Sequence, residues 1–228
     1  MIISAIALSA LTAFNGSVSL GGLFTSGNSD VEQLDAGLQL SGQPTEVLET
    51  GFSFLASYGS KEDDVYIENY LSDATLKYNF SEKNYIASRV YWTKDEFAGI
   101  SHEFGGTAGY GRELVSAETF TASLEAGGGY MSRENTIEEE LSTATWYSGI
   151  KANWQATEAW TVTESAIIRG DFDNSENYYV GNLLEASSAI TGNLSFITGF
   201  QLDYYNLPPV EGNENTDTAL RVQLRYSL

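Results

Sequence analysis

The stretch Ala219-Leu220-Arg221-Val222-Gln223-Leu224-Arg225-Tyr226-Ser227-Leu228 alternates without a break between two chemical characters. Leu220, Val222, Leu224, Tyr226 and Leu228 form one series. Ala219, Arg221, Gln223, Arg225 and Ser227 form the other. A period of two places the series on opposite faces of a β-strand, one apolar and one polar. Working back from this strand, the chain divides from Phe14 onward into twelve segments of the same kind.

The first segment runs from Gly16 to Phe24, the fourth from about Tyr66 to Phe80, and the tenth from about Tyr179 to Ile190. Short turns are expected at 41–46, 81–84, 114–118, 155–159 and 191–193. Longer, acidic loops are expected between them, at 25–30, 59–64, 93–99, 132–140, 171–176 and 206–217. Alternating short and long connections and an even strand count are marks of bacterial transmembrane barrels. Aromatic residues gather near segment ends: Tyr78, Phe80 and Tyr85, then Trp154 and Trp160, then Tyr58, Trp92 and Tyr130. They suit two interfacial girdles. Glu164 breaks the pattern, falling on the apolar face of the ninth segment, where a bulge or a nearby interface would relieve it.

Composition agrees with an all-β chain. Pro is scarce at 3, Gly reaches 22, aromatics make up 13%, and there is no Cys for a disulfide or a thiolate metal site. Mean hydropathy is close to neutral, as expected when lipid-facing and lumen-facing residues cancel along each strand. A net charge of −20 argues against nucleic acid as a partner, since phosphates need Lys and Arg.

The segment Met1–Ala13 is the one uninterrupted apolar run, too short to span a bilayer as a helix. It has the shape of the apolar and small-residue parts of a secretory signal, without the positive n-region. Residues 1–13 are therefore read as a signal-peptide remnant, with a retained N-terminal segment as the alternative, and 14–228 as the barrel.

Two resemblances sharpen the reading. Leu220, Val222, Leu224, Tyr226 and Leu228 resemble the C-terminal strand by which outer-membrane barrels are recognised for insertion, although there an aromatic usually comes last. The stretch 14–30, with Phe14 at its start and Ser26-Gly27-Asn28-Ser29 as its closing turn, is similar to the first strand of the YdiY-like family. Those are salt-induced outer-membrane proteins, a domain of unknown function. Thr216-Asp217-Thr218 before the last strand extends the similarity across 14–228. The resemblance implies fold and compartment, the outer membrane of a Gram-negative bacterium, and carries no catalytic residue or ligand.

The polar faces define an expected lumen. Its charges are Lys77, Arg89, Lys151, Arg169, Arg221 and Arg225 against Asp35, Asp73, Glu103, Glu125, Glu185 and Asp203, six against six. Twelve strands lie between eight, which side chains fill, and sixteen, which leave a channel. These charges cross-link into a plug, line a narrow pore, or form a dedicated binding site. Lumen glycines (37, 51, 105, 109, 127, 149, 181 and 199) leave room and favour the pore. The one His, His102, lies beside Ser101, but neighbours along a strand face opposite ways and form no base–nucleophile pair. The loop 171–176 has oxygen ligands but lacks the pattern of a calcium loop.

The expectation is a transmembrane, antiparallel up-and-down β-barrel of about twelve strands, not an enzyme, with no cofactor or metal. Its leading function is a narrow, weakly selective passive pore for ions or small solutes. The alternative is a non-conducting structural or surface-interaction protein. Expected partners are outer-membrane lipid and lipopolysaccharide, and the barrel-assembly machinery during insertion, with the chain a monomer.

Overall fold

A computed structural model describes residues 14–25, 31–61, 64–137 and 139–228. The chain forms β1 (Phe14–Thr25), β2 (Val31–Thr45), β3 (Leu48–Lys61), β4 (Asp64–Asn79), β5 (Asn84–Asp95) and β6 (Ile100–Ser116). There follow β7 (Phe120–Asn135), β8 (Glu140–Gln155), β9 (Trp160–Asp171), β10 (Tyr178–Thr191), β11 (Leu194–Tyr205) and β12 (Thr216–Ser227). Each strand pairs antiparallel with the next, and β12 pairs with β1 to close a barrel. The expected fold class and strand number are therefore correct. The expected turn at 26–29 and the segment 1–13 lie outside the described residues.

Closure is local to the quoted stretch. Ser17 pairs with Ser227, Leu20 with Leu224 and Gly21 with Gln223, and the Leu228 N–H donates to the Gly16 carbonyl at 2.8 Å. In hydrocarbon no water can satisfy an edge, so this seam is what makes a bilayer-spanning sheet possible.

In the middle of the strands the register never shifts. Bulges occur only near strand ends, as between Gly42 and Thr45, Thr93 and Asp95, or Ile100 and His102. Period-two alternation therefore holds over the length that crosses the bilayer. The even-numbered residues of the strand centres face outward: Leu20 is 63% exposed, Val90 62%, Phe104 59% and Leu220 72%. Together with Phe52, Phe54, Leu124, Ile150, Leu184 and Phe200 they make an apolar belt. Tyr78, Phe80, Trp154 and Trp160 flank it towards the end that holds the termini, here the near end. Tyr58 and Tyr130 flank it towards the far end.

Tyr85 does not join the girdle as expected. It is buried, and its odd position turns it inward. His102 lies on the outer face, stacked on Trp92 at 6.1 Å between ring centroids.

Three of the expected far-end loops are partly strand. Residues 59–61 and 64, 93–95, and 132–135 and 140 belong to strands, which leaves 96–99 and a few residues after Asn135 as described loop there. Only about 9–11 residues per strand are needed to cross the bilayer, and β6 and β7 have 17 and 16. Beyond the belt the ladder continues, but outward positions there need not be apolar. The alternation fades although the strand does not.

Glu164 faces outward, midway along β9, in a register without a bulge. Its Oε1 accepts a hydrogen bond from Nδ2 of Asn182 on β10, which occupies the same face. The amide supplies a donor that lipid lacks. Asn182→Leu should therefore lower the stability of the folded barrel by about 1–3 kcal/mol, the cost of orphaning a buried polar group. Glu164→Leu should leave it unchanged or higher. Urea unfolding in lipid vesicles reads both, and equal losses in the two variants would show that the pair does not act as a unit.

Candidate functional site: the barrel interior

Odd-numbered residues of the strand centres point inward, and they divide the interior into a packed side and an open side. The packed side is built on β6. Tyr91 stands directly across from Gly105 and Tyr85 directly across from Gly111. Tyr147 passes over Gly127, its own partner, to reach Gly109. A Cβ on Gly105, Gly109 or Gly111 would run into the ring of Tyr91, Tyr147 or Tyr85 respectively. Three tyrosines thus lie over three glycines of one strand, and the Tyr147 hydroxyl donates to Glu125 Oε1 at 2.6 Å.

The lumen glycines therefore do not leave room in the way the sequence implied. Of the eight, only Gly149 and Gly199 would carry a Cβ without an atom closer than 3.0 Å. At the others the space is already taken, by a tyrosine ring at Gly105, Gly109 and Gly181, by Ser19 at Gly37, by Thr75 at Gly51, and by the β6 backbone at Gly127.

Towards the far end the packed side becomes an ionic cluster. Glu103, 1% exposed, uses both carboxylate oxygens. Oε2 accepts from Arg133 Nε at 2.6 Å, and Oε1 accepts from Arg169 Nη1 and the Tyr91 hydroxyl, both at 2.8 Å. The Arg169 guanidinium also lies over the Tyr91 and Tyr179 rings, and that of Arg133 over Tyr205. Tyr179 in turn donates to Asp203. A buried carboxylate holding two guanidiniums, each stacked on aromatics, offsets the cost of burying these charges in a low-dielectric site, because both of its oxygens accept from cationic donors.

The open side is a cavity of about 400 Å³ lined by ten of the twelve strands, all but β7 and β8. Its walls carry Arg89, Arg221, Arg225, Glu185 and Asp203, with Arg169 and Glu103 at the border with the cluster. The remaining expected lumen residues are also inside, but off this cavity. Lys77 bridges Glu49 and Glu113 at 3.4 Å each, near the near end. Asp73 faces Arg89, with Nε and Oδ1 3.6 Å apart, and accepts from Ser53. Buried Asp35 accepts from Gln33 at 3.1 Å. Lys151 lies next to Ser123 and Ser165 in register, with no ion pair among the described residues.

The six-against-six balance is incomplete. Arg133, Glu49, Glu113 and Asp95 also face inward. Arg133 and Asp95 sit in stretches the sequence assigned to loops, where the outward residues no longer alternate in polarity.

In fold, the barrel is similar to the NanC porin, with TM-score 0.56, 9% identity, and 95% of this chain and 100% of that one covered. An outer membrane channel from Pseudomonas putida F1 gives TM-score 0.55 at 12% identity, covering 94% of each chain. The translocator domain of autotransporter NalP from Neisseria meningitidis gives 0.54 at 10% identity, covering 99% and 93%. A closed, antiparallel, twelve-stranded barrel wearing an apolar belt is an outer-membrane barrel of a Gram-negative bacterium. In sequence, the chain is 24% identical over 222 residues to the uncharacterized protein YdiY of Escherichia coli (strain K12), covering 96% of this chain and 85% of that one. The similarity drawn from 14–30 and 216–218 is thereby upheld, and the match of residues 18–228 to the family described as "Protein of unknown function, DUF481" establishes that the chain belongs to that family.

Proposed function

We propose that the barrel is a narrow, weakly selective passive pore for ions or small solutes. One observation carries the reading: the cavity of about 400 Å³ follows the inner wall of ten strands instead of being filled by their side chains. Its charged lining is Arg89, Arg169, Arg221 and Arg225 against Asp95, Glu103, Glu185 and Asp203. Four against four gives no strong field of either sign, which limits selectivity. The near end, with the short turns, faces the periplasm. The belt meets lipid and lipopolysaccharide, the monomer is the working unit, and the outward residues of β12 are what the assembly machinery reads.

The Glu103 cluster favours the second reading, a non-conducting surface protein, because it fills part of the bore towards the far end. Planar-bilayer recording of the refolded barrel separates the two. Discrete openings are expected, with Arg89→Ala and Arg225→Ala each shifting the reversal potential towards cations. Silence from protein shown to be folded by heat-modifiable gel mobility would end the pore reading.

The cluster makes its own prediction. Glu103→Gln leaves two buried guanidiniums without their counter-charge, and the barrel should lose about 3–5 kcal/mol. A shift of the urea midpoint smaller than that of Asn182→Leu would mean the guanidiniums find other partners or water.

A further inference from the structure

The five arginines of the interior fall into two groups. Arg133 and Arg169 are held by hydrogen bonds of 2.6 and 2.8 Å to one carboxylate. Arg89, Arg221 and Arg225 make no side-chain hydrogen bond among the described residues. Arg89 has only a loose ionic contact, 3.6 Å from Nε to Asp73, and Arg225 one of 3.8 Å to Glu185. No carboxylate among the described residues pairs with Arg221. All three guanidiniums line the same cavity.

They stand at different places on the wall of that one cavity. Arg221 lies midway along β12 and Arg89 midway along β5, on separate walls. Arg225 is on the face of Arg221, about 13 Å further along the strand at 3.3 Å per residue, a gap two extended arginine side chains can close. Gln223 stands between them and is buried. In register, Arg221 faces Gly199, which has no side chain of its own, and the nearest side-chain atom there is Glu185 Cγ, 3.4 Å from where a Cβ would stand. A guanidinium presents five N–H donors in a planar fork and no acceptor. Three such groups around an unfilled volume, with most donors unused, match an acceptor-only planar or tetrahedral anion.

We propose that the mid-lumen holds a binding site for a small anion, a carboxylate or phosphate, with Arg221 as its principal ligand and Arg89 and Arg225 as flanking ones. The inference rests on the pore reading for how the ion arrives, not for whether it binds. Asp73 and Glu185 hold the flanking guanidiniums loosely, so an incoming anion displaces only long contacts. The Glu103 cluster stays outside the site because Arg133 and Arg169 are already bonded to its carboxylate at 2.6 and 2.8 Å. The site is compatible with a protein of net charge −20 because the cavity wall itself is balanced.

The test uses the refolded barrel in detergent, its fold checked by heat-modifiable mobility. Inorganic phosphate is titrated by phosphorus NMR line broadening, and succinate by calorimetry. Saturable binding of at least one is expected, weakened about tenfold or more in Arg221→Gln, in keeping with the loss of charge-assisted hydrogen bonds, and unchanged in Arg112→Gln on the outer face. Phosphate binding without succinate binding assigns the site to phosphates, and the reverse to carboxylates. No saturable binding of either ion, or equal weakening by the two variants, overturns the proposal. Bilayer recording of the same samples keeps the two readings apart. Conduction without anion binding removes the site and leaves the pore, while anion binding without conduction removes the pore and leaves the site.

Discussion

A sheet inside hydrocarbon cannot have an edge, and the hydrogen bonds between β1 and β12 are where this chain meets that requirement. Every backbone N–H and C=O within the bilayer must find a partner in the protein, because lipid provides none. The seam runs from Ser17–Ser227 to Gly21–Gln223, with Leu228 N–H capping it on Gly16. Once the sheet is closed, one set of faces must be apolar and the other is enclosed. Leu220 and Arg225, five residues apart on one strand, thereby acquire different solvents. Glu164 is the exception that shows the rule's cost, since it needs Asn182 from the next strand to supply a donor.

Enclosure creates a second problem, because polar side chains from twelve strands point into a space neither as narrow as an eight-stranded core nor as wide as a porin channel. This barrel treats its two sides differently. On β6 the glycines at 105, 109 and 111 lower the floor, and Tyr91, Tyr147 and Tyr85 lie down over them, so that side is filled by rings. At Gly199 no ring arrives, and the space remains part of the cavity. The same residue type thus closes one wall and opens the other. What differs is the residue on the adjoining strand.

Charge follows the same division. In the packed side Glu103 draws Arg133 and Arg169 into contacts short enough to exclude water, and stacking on Tyr91, Tyr179 and Tyr205 completes their surroundings. In the open side Arg89 and Arg225 stand 3.6 and 3.8 Å from their carboxylates, where solvent screens the attraction and the guanidinium stays available. Tight pairs therefore serve the wall, and loose pairs serve the space within it. The acidity of the chain as a whole says little about either, because much of it lies at the strand ends and in the far-end loops.

Period-two alternation, read first in Ala219 to Leu228 and then along the whole chain with its alternating short and long connections, was enough to determine strand identity, the direction of each central side chain and the number of strands, and from these the expectation of a closed antiparallel barrel. These are local properties: a period of two is written into consecutive residues, and the bilayer enforces it. Arg89, Arg169, Arg221, Glu103 and Glu185 were assigned to the interior on that ground alone. Arg133 and Asp95 were hidden because the bilayer no longer imposes apolar outward residues where they sit. Tyr85 looked like a girdle aromatic because proximity to a strand end does not reveal its face. Only the tertiary structure decided which interior residues meet. Glu103 is 30 residues from Arg133 and 66 from Arg169, and Tyr147 reaches Gly109 by crossing an intervening strand. Such meetings depend on cross-strand register and on the curvature of the closed sheet. Register is a relation between distant segments, and no stretch of consecutive residues encodes it.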